Sequence, residues 1–112
     1  MASSKEYLQF ILEQLSGLEE INYRAMMGEY IIYYRGRIAG DIYDDRLLVK
    51  PTKSAVSYMT TAIYELPYEG AKEMLLVENV DSKEYLAGLF KAMYDELPVH
   101  KSNNKKKSMD TL

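Results

Sequence analysis

Apolar residues change their period at recognisable points along the chain. Leu8, Ile11, Leu12 and Leu15 recur at helical spacing, with Tyr7 and Phe10 widening the stripe. Ser3-Ser4-Lys5-Glu6 in front of them fits a capping box, in which a hydroxyl and a carboxylate each meet a backbone N–H left unpaired by the first turn. Ser16-Gly17 supplies a stop, so the pattern predicts a helix over about residues 4–16.

The period then drops to two. Residues 23–27, 29–35, 38–43 and 46–50 read as extended runs rich in β-branched and aromatic side chains. Gly28 marks a bend or bulge, Arg35-Gly36-Arg37 a hairpin, and Asp44-Asp45 a turn whose carboxylates bond nearby backbone N–H groups. Gly40 reads as a point of close strand approach. Connections this short allow only antiparallel neighbours. Pro51 ends the meander because it cannot donate to a ladder.

Thr52 then caps a short helix over about 53–61, with Ala55, Val56 and Met59 to one side. Leu66-Pro67-Tyr68-Glu69-Gly70 is a loop, and 73–78 is a compact apolar strand, covered on both faces or central in the sheet. Asp81-Ser82-Lys83-Glu84 is a second capping box, opening a helix striped by Tyr85, Leu86, Leu89, Phe90, Met93 and Leu97. The predicted order is α-β-β-β-β-α-β-α. It implies an α+β two-layer sandwich, an antiparallel sheet with helices packed on one face. One domain over 1–99 is expected, with a flexible basic tail over 100–112.

Charge changes this picture only at the end of the chain. Residues 1–100 hold ten Lys/Arg against sixteen Asp/Glu, whereas 101–112 hold four lysines against Asp110. An acidic domain repels a phosphate backbone, so direct nucleic-acid binding is disfavoured. No apolar run approaches the roughly 20 residues that span a bilayer, and no secretory signal is visible, so no membrane partner and a cytoplasmic location are expected. The state expected is a monomer or a homodimer.

Catalytic signatures are missing from the sequence. There is no cysteine, and the single histidine, His100, lies beyond the last helix, which leaves only oxygen ligands for a metal and no basis for zinc or copper. No metal or other cofactor is expected. Asp41, Asp44 and Asp45 stand close in sequence, where they would serve a hard cation or form an acid pair, but turn formation accounts for Asp44 and Asp45. An enzyme would need a buried carboxylate of perturbed pKa in a cleft, which sequence alone does not reveal. The tyrosines are more suggestive, with eleven Tyr against two Phe and no Trp. Alternation puts Tyr30, Ile32 and Tyr34 on one sheet face and Ile31, Tyr33 and Arg35 on the other. Tyr and Arg are favoured at interface hot spots, although tyrosines packed under helix edges account for the same pattern.

Arg24-Ala25-Met26-Met27-Gly28, the Tyr43-Asp44-Asp45-Arg46-Leu47-Leu48-Val49-Lys50 turn and strand, and Leu66-Pro67-Tyr68-Glu69-Gly70-Ala71-Lys72 together resemble the N-terminal domain of the TfoX (Sxy) competence-regulator family. They are closest to its short, single-domain Gram-positive-type members. Where that resemblance leads one to expect a second glycine before Ile-Tyr, this chain has Asp41. The resemblance implies an α+β fold and a regulatory role, and it transfers no catalytic residues. Two functions follow as expectations. The first is a non-enzymatic regulatory or adaptor domain that contacts a protein partner, such as a transcription regulator, through Tyr33, Arg35, Arg37, Tyr43 and Arg46. The second is a small-molecule or metal-ion binding module using Arg24, Glu29, Asp44 and Lys50, with Tyr43 again within reach.

Overall fold

The structure, a computed structural model, describes residues 5–98; the serine of the first capping box, His100 and the basic tail lie outside the described residues. Helix α1 (Lys5–Gln14) buries Leu8 and Ile11. Strands β1 (Ile21–Met26), β2 (Glu29–Tyr34), β3 (Arg37–Tyr43) and β4 (Arg46–Val49) follow as a meander. Each hairpin turns in two residues, both with positive φ: Met27 and Gly28, Arg35 and Gly36, Asp44 and Asp45. Connections of this mirror-image kind match the right-handed twist of paired strands. Gly28 is thus the second residue of a turn rather than a bend within a strand. The sheet's irregularity lies instead between Ile32 and Tyr33, where the β2–β3 register shifts.

Helix α2 (Lys53–Tyr58) is capped by Thr52, whose hydroxyl accepts from the Ala55 N–H at 3.1 Å. Then comes a strand that the sequence pattern does not announce, β5 (Tyr64–Glu65), only two residues long. Strand β6 (Met74–Leu76) leads to helix α3 (Lys83–Met93) and a 3-10 turn, Tyr94–Glu96. The cap of α3 is Ser82 rather than Asp81. Its hydroxyl accepts from the Tyr85 N–H, and its carbonyl receives the Leu86 N–H, so the helix starts one residue later than a box built on Asp81 requires.

The six strands lie in the order β1-β2-β3-β4-β6-β5, every pair antiparallel, so this is an α+β fold. Register assigns the faces. Ile32, Ile42, Leu47, Val49 and Leu75 share one face and form a single core with Leu8 and Ile11 of α1, Ala55 of α2, and Leu86, Leu89, Phe90 and Met93 of α3. All three helices therefore cover the same side. Two glycines permit close approach. A Cβ on Gly40 would lie 2.3 Å from the Leu48 carbonyl oxygen, and one on Gly88 would lie 2.2 Å from the Tyr58 hydroxyl, where α2 crosses α3. No helix among the described residues is long and apolar enough to cross a membrane.

Candidate functional site

The sheet face turned away from the helices carries Glu29, Ile31 and Tyr33 of β2, with Ile38 and Asp41 of β3 in register beside them. Arg24 of β1 stands opposite Ile31, and Leu48 of β4 opposite Asp41. The segment 66–73, between β5 and β6, folds over part of this face. Arg46 fastens it: Nη1 donates to Glu65 Oε1 at 2.6 Å and Nη2 to the Pro67 carbonyl at 3.0 Å. Tyr43 meets Tyr68 edge to face, with ring centroids 5.7 Å apart. Beneath the segment Leu48 is fully buried and Met74 nearly so, and neither belongs to the helix-side core.

Between segment and strands lies a cleft of about 420 Å³. Glu29, Ile31, Ile38, Gly40 and Asp41 form its sheet side, and Pro67, Tyr68, Ala71, Lys72 and Glu73 its loop side. Met26, Lys50, Pro51 and Met74 complete the lining. A volume of this size suits a small organic molecule.

On the sheet side, one oxygen of each carboxyl lacks a donor from the surrounding protein. Glu29 Oε1 and Asp41 Oδ1 are buried without a protein hydrogen-bond partner, as is the nearby Arg46 Nε. Buried polar atoms are normally paired, so orphans collected on one face call for a function. Asp41 is 9 % exposed. Burial pushes its carboxyl up, the adjoining Glu29 pushes it further through hydrogen bonding and repulsion, and Lys50 and the Ile42 backbone N–H pull it back; the balance lies at about 8. Burial and the neighbouring carboxyl thus favour the protonated form of Asp41, with Glu29 within hydrogen-bonding reach. This is the buried, perturbed carboxyl in a cleft that an enzymatic reading also requires, and it identifies Asp41 as a group of chemical interest.

The residues singled out from sequence separate into distinct places. Glu29 and Lys50 line the cleft. Arg24 lies on the same face, exposed on the edge strand. Asp44, at a φ of 56°, occupies a hairpin turn together with Asp45, apart from the cleft lining. Tyr33 shares the open face, while Tyr43 and Arg46 hold the covering segment. Arg35 and Arg37 belong elsewhere. Both guanidinium groups stack on the ring of Tyr94, at 5.0 and 4.5 Å from its centroid, and Arg37 also donates to the Tyr94 carbonyl. The strand alternation stops at Tyr34, and the positive φ of Arg35 turns its side chain towards the end of α3. The five residues expected to form one contact surface thus divide between the open face and a clamp on the last helix.

Asp41 is the residue whose place in the cleft sequence reasoning misses: it is read within the 38–43 strand and weighed only together with Asp44 and Asp45. The available signal is its position between Ala39-Gly40 and Ile42-Tyr43, where a charged side chain interrupts the otherwise uncharged run 38–43.

No family model matches the chain, and no solved structure matches it at a significant level. Over 80 residues it is 29 % identical to a Spirochaeta aurantia protein described as an uncharacterized 12.7 kDa protein in the trpE 5′ region; the match covers 71 % of this chain and 70 % of that protein.

Proposed function

We propose that the protein is a small-molecule binding module whose site is the cleft between the β2–β3 strands and segment 66–73. The observation that carries this reading is the buried Glu29–Asp41 carboxyl pair, whose Oε1 and Oδ1 find no donor in the surrounding protein, beside an open volume. A ligand that completes their hydrogen bonding offsets the cost of burying them. A screen of small polar fragments by amide chemical shift tests it. Hits should move the resonances of Glu29, Ile31, Asp41, Lys50 and residues 68–74. Shifts confined to other surfaces contradict the assignment.

One observation favours protein contact as a second reading. β1 is a sheet edge with five of its six residues exposed, and Met27 at its hairpin tip is 95 % exposed. An uncovered edge accepts an added strand from a partner. The regulatory role implied by the resemblance to TfoX N-terminal domains belongs to this reading. Tyr23→Lys combined with Met27→Asp should release any partner that the wild-type protein retains, and unchanged retention would contradict it.

A further inference from the structure

The cleft holds both signs of charge within a largely apolar lining, which restricts what it can accept. Asp41 and Glu29 present carboxyl groups on the sheet side, and Lys50 lies close enough to Asp41 to favour its ionised form. Lys72 and Glu73 enter from the loop side, so four charged groups besides Asp41 face the site. Neither lysine forms an ion pair with a described residue. Ile31, Ile38, Met74 and the Tyr68 ring supply apolar surface between these groups.

Three simple ligand classes fit poorly. An apolar molecule would leave the buried carboxyl oxygens unpaired. A free anion would meet two carboxyl groups on the sheet side and Glu73 on the loop side. A divalent cation needs more oxygen ligands than two carboxylates, no group of three or more acidic or histidine side chains is assembled among the described residues, and Lys50 repels it.

Resting on the cleft reading, we infer that the ligand is a small zwitterion of the α-amino-acid class with an apolar side chain. Its ammonium group bonds the Glu29–Asp41 carboxyl pair, its carboxylate pairs with Lys50, and its side chain lies along Ile31, Ile38 and Met74. The ammonium group favours ionised carboxylates, so binding expels the proton held by Asp41. Affinity therefore rises with pH until that proton is already absent in the free protein, near pH 8.

Three probes sharing one ring separate the contributions: L-phenylalanine, phenethylamine, which lacks the carboxylate, and 3-phenylpropionate, which lacks the amine. Calorimetry and amide shifts on the full chain should rank them in that order, with phenylalanine at least tenfold tighter than phenylpropionate. Its affinity should increase severalfold between pH 6 and pH 8. Asp41→Asn should remove both the preference for an amine and the pH dependence. Lys50→Met should reduce phenylalanine to the affinity of phenethylamine, and an unchanged amide spectrum away from the cleft verifies that both variants fold. If phenylpropionate binds at least as tightly as phenylalanine, or Asp41→Asn binds it unchanged, the zwitterion assignment is overturned while the cleft stands. If none of the three moves cleft resonances, the assignment is likewise overturned, and the fragment screen then decides whether the cleft binds anything.

Discussion

The two faces of one sheet solve opposite problems. The helix-covered face is closed by complementary apolar side chains, with Phe90, Leu86, Leu89 and Leu75 fully buried against Ile32, Ile42 and Leu47. The other face is covered in part by an eight-residue segment held by Arg46 and Tyr43. Every buried side-chain polar atom without a partner among the described residues lies on that second face. The first face buries the larger apolar core. The second retains polar groups at a cost, and a cost borne in one place is a reason to look for function there.

The largest effect should come from the helix side. Phe90→Ala removes a fully buried ring and should cost about 3–5 kcal/mol in urea unfolding, whereas Ile31→Ala on the half-buried open face should cost roughly 1–2 kcal/mol. Equal losses would erase the distinction between the faces.

Next comes pH. The folded protein holds the Asp41 proton up to about pH 8, while the unfolded chain releases it near 3.8. The folded state therefore binds more protons between those values, and this group makes stability fall as pH rises from about 4 to about 8, then level off. Asp41→Asn should flatten that slope in denaturation curves at pH 5, 6.5 and 8. A variant as steep as the wild type would show that Asp41 is not the group responsible.

The two faces also differ in how far the sequence reveals them. Helix-side elements are legible because Leu8, Ile11 and Leu15, or Leu86, Leu89 and Phe90, repeat a period that only one burial pattern satisfies. The meander is legible because Gly28, Arg35-Gly36 and Asp44-Asp45 separate its runs. β5 is not, because Tyr64 and Glu65 acquire strand geometry only by pairing with Leu75 and Met74. The cleft is hidden for a related reason. Glu29 and Asp41 are separated in sequence and meet only through the β2–β3 register, which the shift after Ile32 resets. Glu29 and Lys50 are recognisable as candidate ligand groups, but Asp41, read within the 38–43 strand, is weighed only with its sequence neighbours Asp44 and Asp45.

A smaller effect is expected where the covering segment is tied down. Arg46→Met removes the bonds to Glu65 and Pro67, in a pair about a quarter to a third exposed, and should cost about 1 kcal/mol. Amide exchange in residues 66–73 should accelerate while that of α3 stays unchanged. The smallest change belongs to the helical side's rim. Glu96 accepts from the Ser54 backbone N–H at 3.1 Å and from its hydroxyl at 2.8 Å, which together hold its carboxyl below the usual value of 4.5. Its contribution is present above the unfolded pKa and is lost as pH falls through the folded one. Glu96→Gln should therefore weaken the protein slightly at pH 7 and not at all in strong acid, as thermal unfolding at the two pH values would show.

The contrast between the faces depends most on the state of one side chain. Carbon-13 NMR of the Asp41 carboxyl, followed from pH 3 to pH 10, reads that state directly. A midpoint near 8 is expected, moving down when Glu29 is replaced by Gln. A midpoint in the ordinary carboxylate range, unaffected by Glu29→Gln, would mean that the two groups share no proton, and the polar cleft would lose its claim to be the site.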